Sequence, residues 1–211
     1  DQNKSQETNR KKSQLKSKIS PLIGSFKGEV GIYVENLKTG ESYAFQGDSL
    51  FPTASLIKVP IMLGLFSDIQ SGKFNYHDQL NYYDSLGVSS TDMLASFKHE
   101  SRIPLSKLIQ LMIGFSDNSA SLWCQELAGG GTAINTWLSE SGFLNTKVNS
   151  RTAGREKAYK QYGWGQTTPK EMATLLKLIR SQKAISPAAS DEMYRILSNI
   201  YWNSEALSEI P

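Results

Sequence analysis

The chain has 211 residues, 39% hydrophobic and 20% charged, enough apolar surface for one core or two small lobes around a cleft, which excludes disorder throughout. Its net charge of +3 is mild and concentrated in Lys4, Arg10, Lys11, Lys12, Lys16 and Lys18. No aromatic residue interleaves with that run before Phe26, so it reads as a solvated lead-in and not as a nucleic-acid surface.

Residues 1 to about 10 are polar and expected to fray. Leu15, Ile19, Leu22, Ile23 and Phe26 then recur at helical spacing and predict a first amphipathic helix. Val30, Ile32 and Val34 alternate, a turn follows through Asn36 to Gly40, and Tyr43 and Phe45 alternate again, which predicts an antiparallel hairpin. Phe51-Pro52 ends a strand, and the apolar stretch Leu56 to Ile69 predicts a buried helix that tolerates Pro60 close to its start and stops at Ser71-Gly72.

Further helices are predicted by Leu105, Leu108, Ile109, Met112 and Ile113, by Ala120 to Leu127 ending at Gly129-Gly-Gly131, and by Ala133 to Leu138. Little periodicity remains between Phe143 and Gln166, which predicts a long irregular loop. Thr168-Pro-Lys-Glu171 combines an N-cap, Pro at the first helical position and a capping-box Glu ahead of Met172, Leu175, Leu176 and Ile179.

Single occurrences exclude several chemistries. Cys124 is the only cysteine, so no internal disulfide forms, and its neighbours Leu122, Trp123 and Leu127 mark a core thiol. His77 and His99 lack the spacing that places two imidazoles on one helix face, so no metal and no other cofactor is expected. No apolar run is long enough to span a bilayer. No signal peptide is recognisable, and a start at Asp1 without Met fits a processed or trimmed N-terminus.

Ser-x-x-Lys occurs twice, at Ser13 to Lys16 and at Ser55 to Lys58, so context separates them. Ser13 lies in a charged, exposed segment. Ser55 follows a strand and opens a buried helix, where N–H groups and the helix dipole favour developing negative charge. Lys58 is one turn away on the same face, and burial there lowers its pKa and makes a neutral amine available as a base. Ser116-Asp-Asn118 stands between two predicted helices, either as an ordinary cap or as a short polar loop projecting into a cleft.

Together, Ser55-x-x-Lys58 and the later Ser116-Asp-Asn118 resemble two of the three motifs of penicillin-recognising serine hydrolases, the class A β-lactamases among them. The resemblance runs from about residue 15 to the end, and includes Thr167-Thr-Pro169. It implies an α/β fold of the α+β kind, with an antiparallel sheet flanked by helices plus an all-helical lobe. The chain would form one unit over 1–211, with helix and hairpin at 10–50 and the helical lobe with the active-site loops from about 51–211. The resemblance further implies that Ser55 attacks a lactam or peptide carbonyl. Lys58 takes the Ser55 proton, Ser116 relays a proton to the leaving nitrogen, and Asn118 holds Lys58 and the substrate amide. The Ser55 N–H would supply half of an oxyanion hole.

Two departures follow. Lys38-Thr39-Gly40 matches the third motif literally but forms the hairpin turn ahead of the nucleophile, and the resemblance would place that motif just beyond Pro211. The chain therefore reads as truncated, with the remaining strands expected from a further segment or a second chain. In the loop before Thr167, the family carries Arg-x-Glu-x-x-Leu-Asn, whose Glu activates the deacylating water. Placing Arg151 on that Arg puts Ala153 at the Glu position, leaving Glu156 either as a substitute base or as a surface Glu paired with Arg155 or Lys157. Acylation of Ser55 is implied more directly than fast turnover. The alternatives are a D-Ala-D-Ala peptidase or esterase, and a penicillin-binding module that acylates without turnover. The partner would be a small β-lactam or cell-wall peptide, and the location periplasmic or secreted.

Overall fold

The helix that carries Lys58 is apolar on all sides, and such a helix is stable only when surrounded. In the computed structural model, which describes residues 15–86 and 89–202, it occupies the centre. We number elements in chain order. Residues 15–25 are helical (α1), followed by β1 (Ile32–Glu35), β2 (Ser42–Phe45), β3 (Phe51–Pro52) and the central α2 (Lys58–Gln70). Lys58 to Phe66 are buried without interruption. Pro60 lies in the first turn, where an N–H has no intrahelical partner to lose.

Around α2 pack α3 (Leu105–Gly114), α4 (Asn118–Leu127), α5 (Gly130–Glu140) and α8 (Pro187–Leu197). One apolar core runs through them, from Ile61, Leu63 and Leu65 to Leu108, Met112, Ile134 and Ile196. At Gly64 a Cβ would come within 3.2 Å of Ile134, so the glycine lets α5 approach α2 closely. Cys124 is buried among these helices, and burial pushes its thiol pKa up.

Among the described residues the strands form three small antiparallel sheets. β1 and β2 pair as expected, from Ile32↔Phe45 to Glu35↔Ser42. Asn36 accepts the N–H groups of Lys38 and Thr39 at 2.9 and 3.2 Å, and Gly40 adopts φ +73°. Lys38-Thr39-Gly40 is thus a hairpin turn, as the sequence predicts. β4 (Gln79–Asn81) pairs with β5 (Arg102–Pro104), and β3, β7 (Gly165–Thr167) and β6 (Lys147–Val148) make a three-stranded sheet.

Three expectations need correction. The stretch from Phe143 to Gln166 is not irregular: it holds β6, α6 (Glu156–Tyr162) and the start of β7. Strands of two and three residues are too short to show alternation, and α6 has no buried residue to give a helical stripe. Gly129 to Gly131 do not simply end a helix; α5 begins at Gly130. Thr168 caps α7 (Pro169–Arg180) by accepting from the Glu171 N–H at 3.1 Å. The Glu171 carboxylate, however, turns to Asn145 and Thr146, pinning the segment before β6. Beside the hairpin, two more sheets form among the described residues. Residues 1–10 and Ser13 lie outside the described residues.

Candidate active site

Ser55 sits in a 3-10 helix, Ala54–Ile57, that joins β3 to α2, and not in the first turn of the α-helix itself. Side chains three apart eclipse in a 3-10 turn, so Ser55 and Lys58 meet: Lys58 Nζ lies 3.4 Å from Ser55 Oγ. Ala54, just before the serine, holds φ +44°, a conformation uncommon for a residue with a Cβ and typical of constrained functional turns. The strand behind it is anchored by Thr53 N–H donating to Gly165 O at 3.0 Å. Ser55 is exposed while Ile57 and Lys58 are buried.

The second element arrives from far along the chain. Ser116 joins α3 to α4 at φ +57°, which presents both its carbonyl and its hydroxyl to the same amine. Lys58 donates to Ser116 O at 2.5 Å, Ser116 Oγ at 3.0 Å and Asn118 Oδ1 at 3.0 Å. Ser116 Oγ in turn donates to Ser55 Oγ at 2.9 Å. All four sequence-predicted residues therefore converge on one point.

Lys58 is 2% exposed, and burial lowers its pKa to about 8, with the Asp117 and Asp92 carboxylates opposing the shift. An amine titrating there is available in both forms near neutral pH, the condition for a general base that must later return its proton. The closed ring of contacts from Ser55 to Lys58 to Ser116 and back to Ser55 provides a complete path for that proton.

Two carboxylates support this ring. Asp117 caps α4 by accepting the Ala120 N–H at 2.7 Å and also accepts the Leu94 N–H at 2.9 Å. Asp92 accepts the Asn118 N–H at 3.3 Å, the Ser119 N–H at 2.8 Å and the Ser119 hydroxyl at 2.6 Å. Asp92 escaped the sequence reading, because a lone Asp in a Ser- and Thr-rich loop carries no periodic or spacing signal.

The loop expected to hold a water-activating carboxylate runs from β6 to β7 over 149–164, its ends brought together by the Val148↔Gly165 pairing. Arg155 ties it down by donating to Asn149 Oδ1 at 3.0 and 2.8 Å and to Gln166 Oε1 at 2.6 Å. Gln125 on α4 exchanges hydrogen bonds with Ser150 at 2.6 and 2.9 Å. Glu156 pairs with neither Arg155 nor Lys157; it accepts the Gly154 N–H at 3.1 Å. It lines a surface cleft of about 580 Å³ together with Ala153, Arg151 and Leu122, a lining that does not include Ser55. Among the described residues no group of three His, Cys, Asp or Glu side chains is arranged to hold a metal ion, and no helix is long and apolar enough to cross a membrane.

Residues 14–211 match the sequence model of a family described as the β-lactamase enzyme family. The β-lactamase VEB-1 of Pseudomonas aeruginosa is 20% identical over 171 residues, 80% of this chain and 57% of that protein. The β-lactamase regulatory protein BlaB of Streptomyces cacaoi is 31% identical over 101 residues, 47% of this chain and 30% of that protein. The chain thus spans little more than half the length of the first of these relatives. Among solved structures, PBP-A superposes with a TM-score of 0.79 at 28% identity, covering 90% of this chain and 70% of its own. The TLA-1 extended-spectrum β-lactamase reaches a TM-score of 0.84 at 18% identity, over 95% of this chain and 74% of its own, a likeness of fold.

Proposed function

Because the chain belongs to the β-lactamase enzyme family, we propose that Ser55 is acylated by a β-lactam or by an amide or ester of a cell-wall peptide, and that hydrolysis of the adduct is slow. The observation that carries this reading is the burial of Lys58 with its Nζ in reach of Ser55, Ser116 and Asn118 at once.

In the proposed reaction, neutral Lys58 takes the Ser55 hydroxyl proton as Oγ bonds to the carbonyl carbon. As the carbon–nitrogen bond breaks, Ser116 gives its proton to the leaving nitrogen and receives one from Lys58. The amine ends neutral, Ser116 is restored, and Ser55 carries the acyl group. Positioned proton transfer of this kind contributes about 10²- to 10⁴-fold. The Ser55 N–H serves as one oxyanion donor. Asn118 holds Lys58 and the substrate amide.

Slow release is favoured by the loop. Ala153 has no ionisable group, Glu156 is engaged with the Gly154 N–H, and the hydrogen-bond partners of Ser55 Oγ among the described residues are Lys58 and Ser116. PBP-A, the similar solved protein, is known as an acyl-enzyme complex with penicillin G in a variant that replaces a leucine with glutamate, which supports penicillin as a probe. A β-lactamase with fast turnover is the second reading, supported by the similarity to VEB-1.

One experiment separates the two: a chromogenic cephalosporin is added while the mass of the protein is followed. A lasting adduct on Ser55 with little colour is expected; rapid colour without an adduct favours fast turnover. Absence of both, with Ser55→Ala matching the parent, overturns the acylation reading.

We further propose that a segment supplying the fold's remaining strands covers the apolar groove of about 880 Å³ bounded by α1, the hairpin and α7. Leu22, Phe26 and Leu56 are 70%, 60% and 51% exposed there, more apolar surface than isolated exposed residues explain. A chain extended to the relatives' length should bind less of a dye specific for exposed apolar surface; unchanged dye binding counts against it. A periplasmic or secreted location follows from the proposed substrate and is checked by fractionation.

A further inference from the structure

We propose that Asp92 is a positioning residue for Ser55 acylation, holding the Asn118 backbone, and with it the acceptor that orients Lys58, in place from outside the catalytic ring. The segments 92–94 and 117–120 are joined by two carboxylates pointing in opposite directions. Asp117 reaches across to the Leu94 N–H, and Asp92 reaches back to the Asn118 and Ser119 N–H groups and the Ser119 hydroxyl. The first three N–H groups of α4, at Asn118, Ser119 and Ala120, are thereby all taken by these two side chains.

The geometry makes this more than a helix cap. Asn118 is at once the first residue of α4, a donor to Asp92 and the residue whose Oδ1 lies 3.0 Å from Lys58 Nζ. A shift in its backbone moves one of the amine's acceptors directly. Asp92 is 9% exposed and Asp117 is 3% exposed, so their charges act on Lys58 with little screening. The charged groups that act on Lys58 among the described residues are Asp117 and Asp92, both favouring its protonated form. Tyr82 and Cys124 lie in the field of Asp117.

The test uses Asp92→Asn, which keeps a capping oxygen without the charge, and Asp92→Glu, which keeps the charge but displaces it. Two readouts are taken on the intact chain: the pH titration of Lys58, followed by its ¹³Cε NMR signal, and the rate of Ser55 labelling by a fluorescent penicillin. Asp92→Asn is expected to move the Lys58 midpoint to lower pH and to slow labelling by about tenfold to a hundredfold, as small misplacements of catalytic groups do. Asp92→Glu is expected to retain the parent midpoint while labelling slows. An unmoved midpoint in Asp92→Asn, or parent labelling in both variants, overturns the proposal. The inference rests on the acylation reading for its rate measurement only. A parent that is never labelled refutes that reading, while the titration still decides whether Asp92 acts on Lys58.

Discussion

Lys58 stands closer to Ser116 than to Ser55. Its Nζ is 2.5 Å from the Ser116 carbonyl and 3.0 Å from the Ser116 hydroxyl, against 3.4 Å from the Ser55 hydroxyl. The Ser116 hydroxyl bridges the remaining gap by donating to Ser55 Oγ at 2.9 Å, so the route between nucleophile and amine runs as readily through Ser116 as directly. Ser116→Ala removes the proposed proton donor to the leaving nitrogen and should slow acylation of Ser55 by about 10²-fold or more, measured as the rate of fluorescent-penicillin labelling. A loss of only a few fold would remove the relay.

The pH dependence has a definite sign. Burial lowers the Lys58 pKa to about 8, so the neutral fraction able to accept the Ser55 proton falls progressively as the pH drops below that value and saturates above it. Labelling should rise through about pH 8 and then level off. Lys58→Arg, whose guanidinium stays charged throughout, should abolish labelling at every pH. A rate independent of pH across this range would refute Lys58 as the base.

Asp117→Ala leaves the buried N–H groups of Leu94 and Ala120 without their acceptor. Loss of a cap costs about 1 kcal/mol, and leaving a buried donor unsatisfied about 1–3 kcal/mol. A loss of about 2–4 kcal/mol in urea unfolding is expected; a loss under half of one would mean that the loop re-forms around water.

Gly165 lies against the base of the nucleophile turn. A Cβ there would overlap the Ile57 side chain and come within 2.9 Å of Thr53 Oγ1. Gly165→Ala should destabilise the fold by about 1–3 kcal/mol, as overpacking does, and slow labelling by displacing Ile57, two residues from Ser55. Adding Ile57→Val, which removes the clashing terminal methyl, should recover part of both. A double variant no better than the single one would show that the clash is relieved elsewhere.

Glu156→Gln should leave the lifetime of the Ser55 adduct unchanged, because the carboxylate accepts the Gly154 N–H in a cleft whose lining does not include Ser55. A lifetime prolonged tenfold would instead identify Glu156 as the deacylating base.

Long, strongly patterned elements were legible from the sequence. The apolar run after Leu56, the stripe of α3 and the Thr168-Pro169 start of α7 appear where periodicity and capping chemistry place them. Short elements were not, because two or three residues in β6 or β7 and the polar turns of α6 carry no period. Their pairing is set by long-range hydrogen bonds, as between Val148 and Gly165. Glu171 illustrates the same limit: its local pattern calls for a capping box, yet its carboxylate serves Asn145 and Thr146.

The sequence by itself determined the identity of the four polar residues and the meeting of Ser55 with Lys58, because residues three apart in one turn are held together by local backbone geometry. The tertiary structure decided what that pair can do. It buried Lys58 under α3 and α4, lowered its pKa and brought Ser116 and Asn118 within 3.0 Å of its amine. It also enlisted Asp92, which no motif marks. Burial and the field of neighbouring charges depend on segments distant in the chain, so they exist only once the helices have packed around α2.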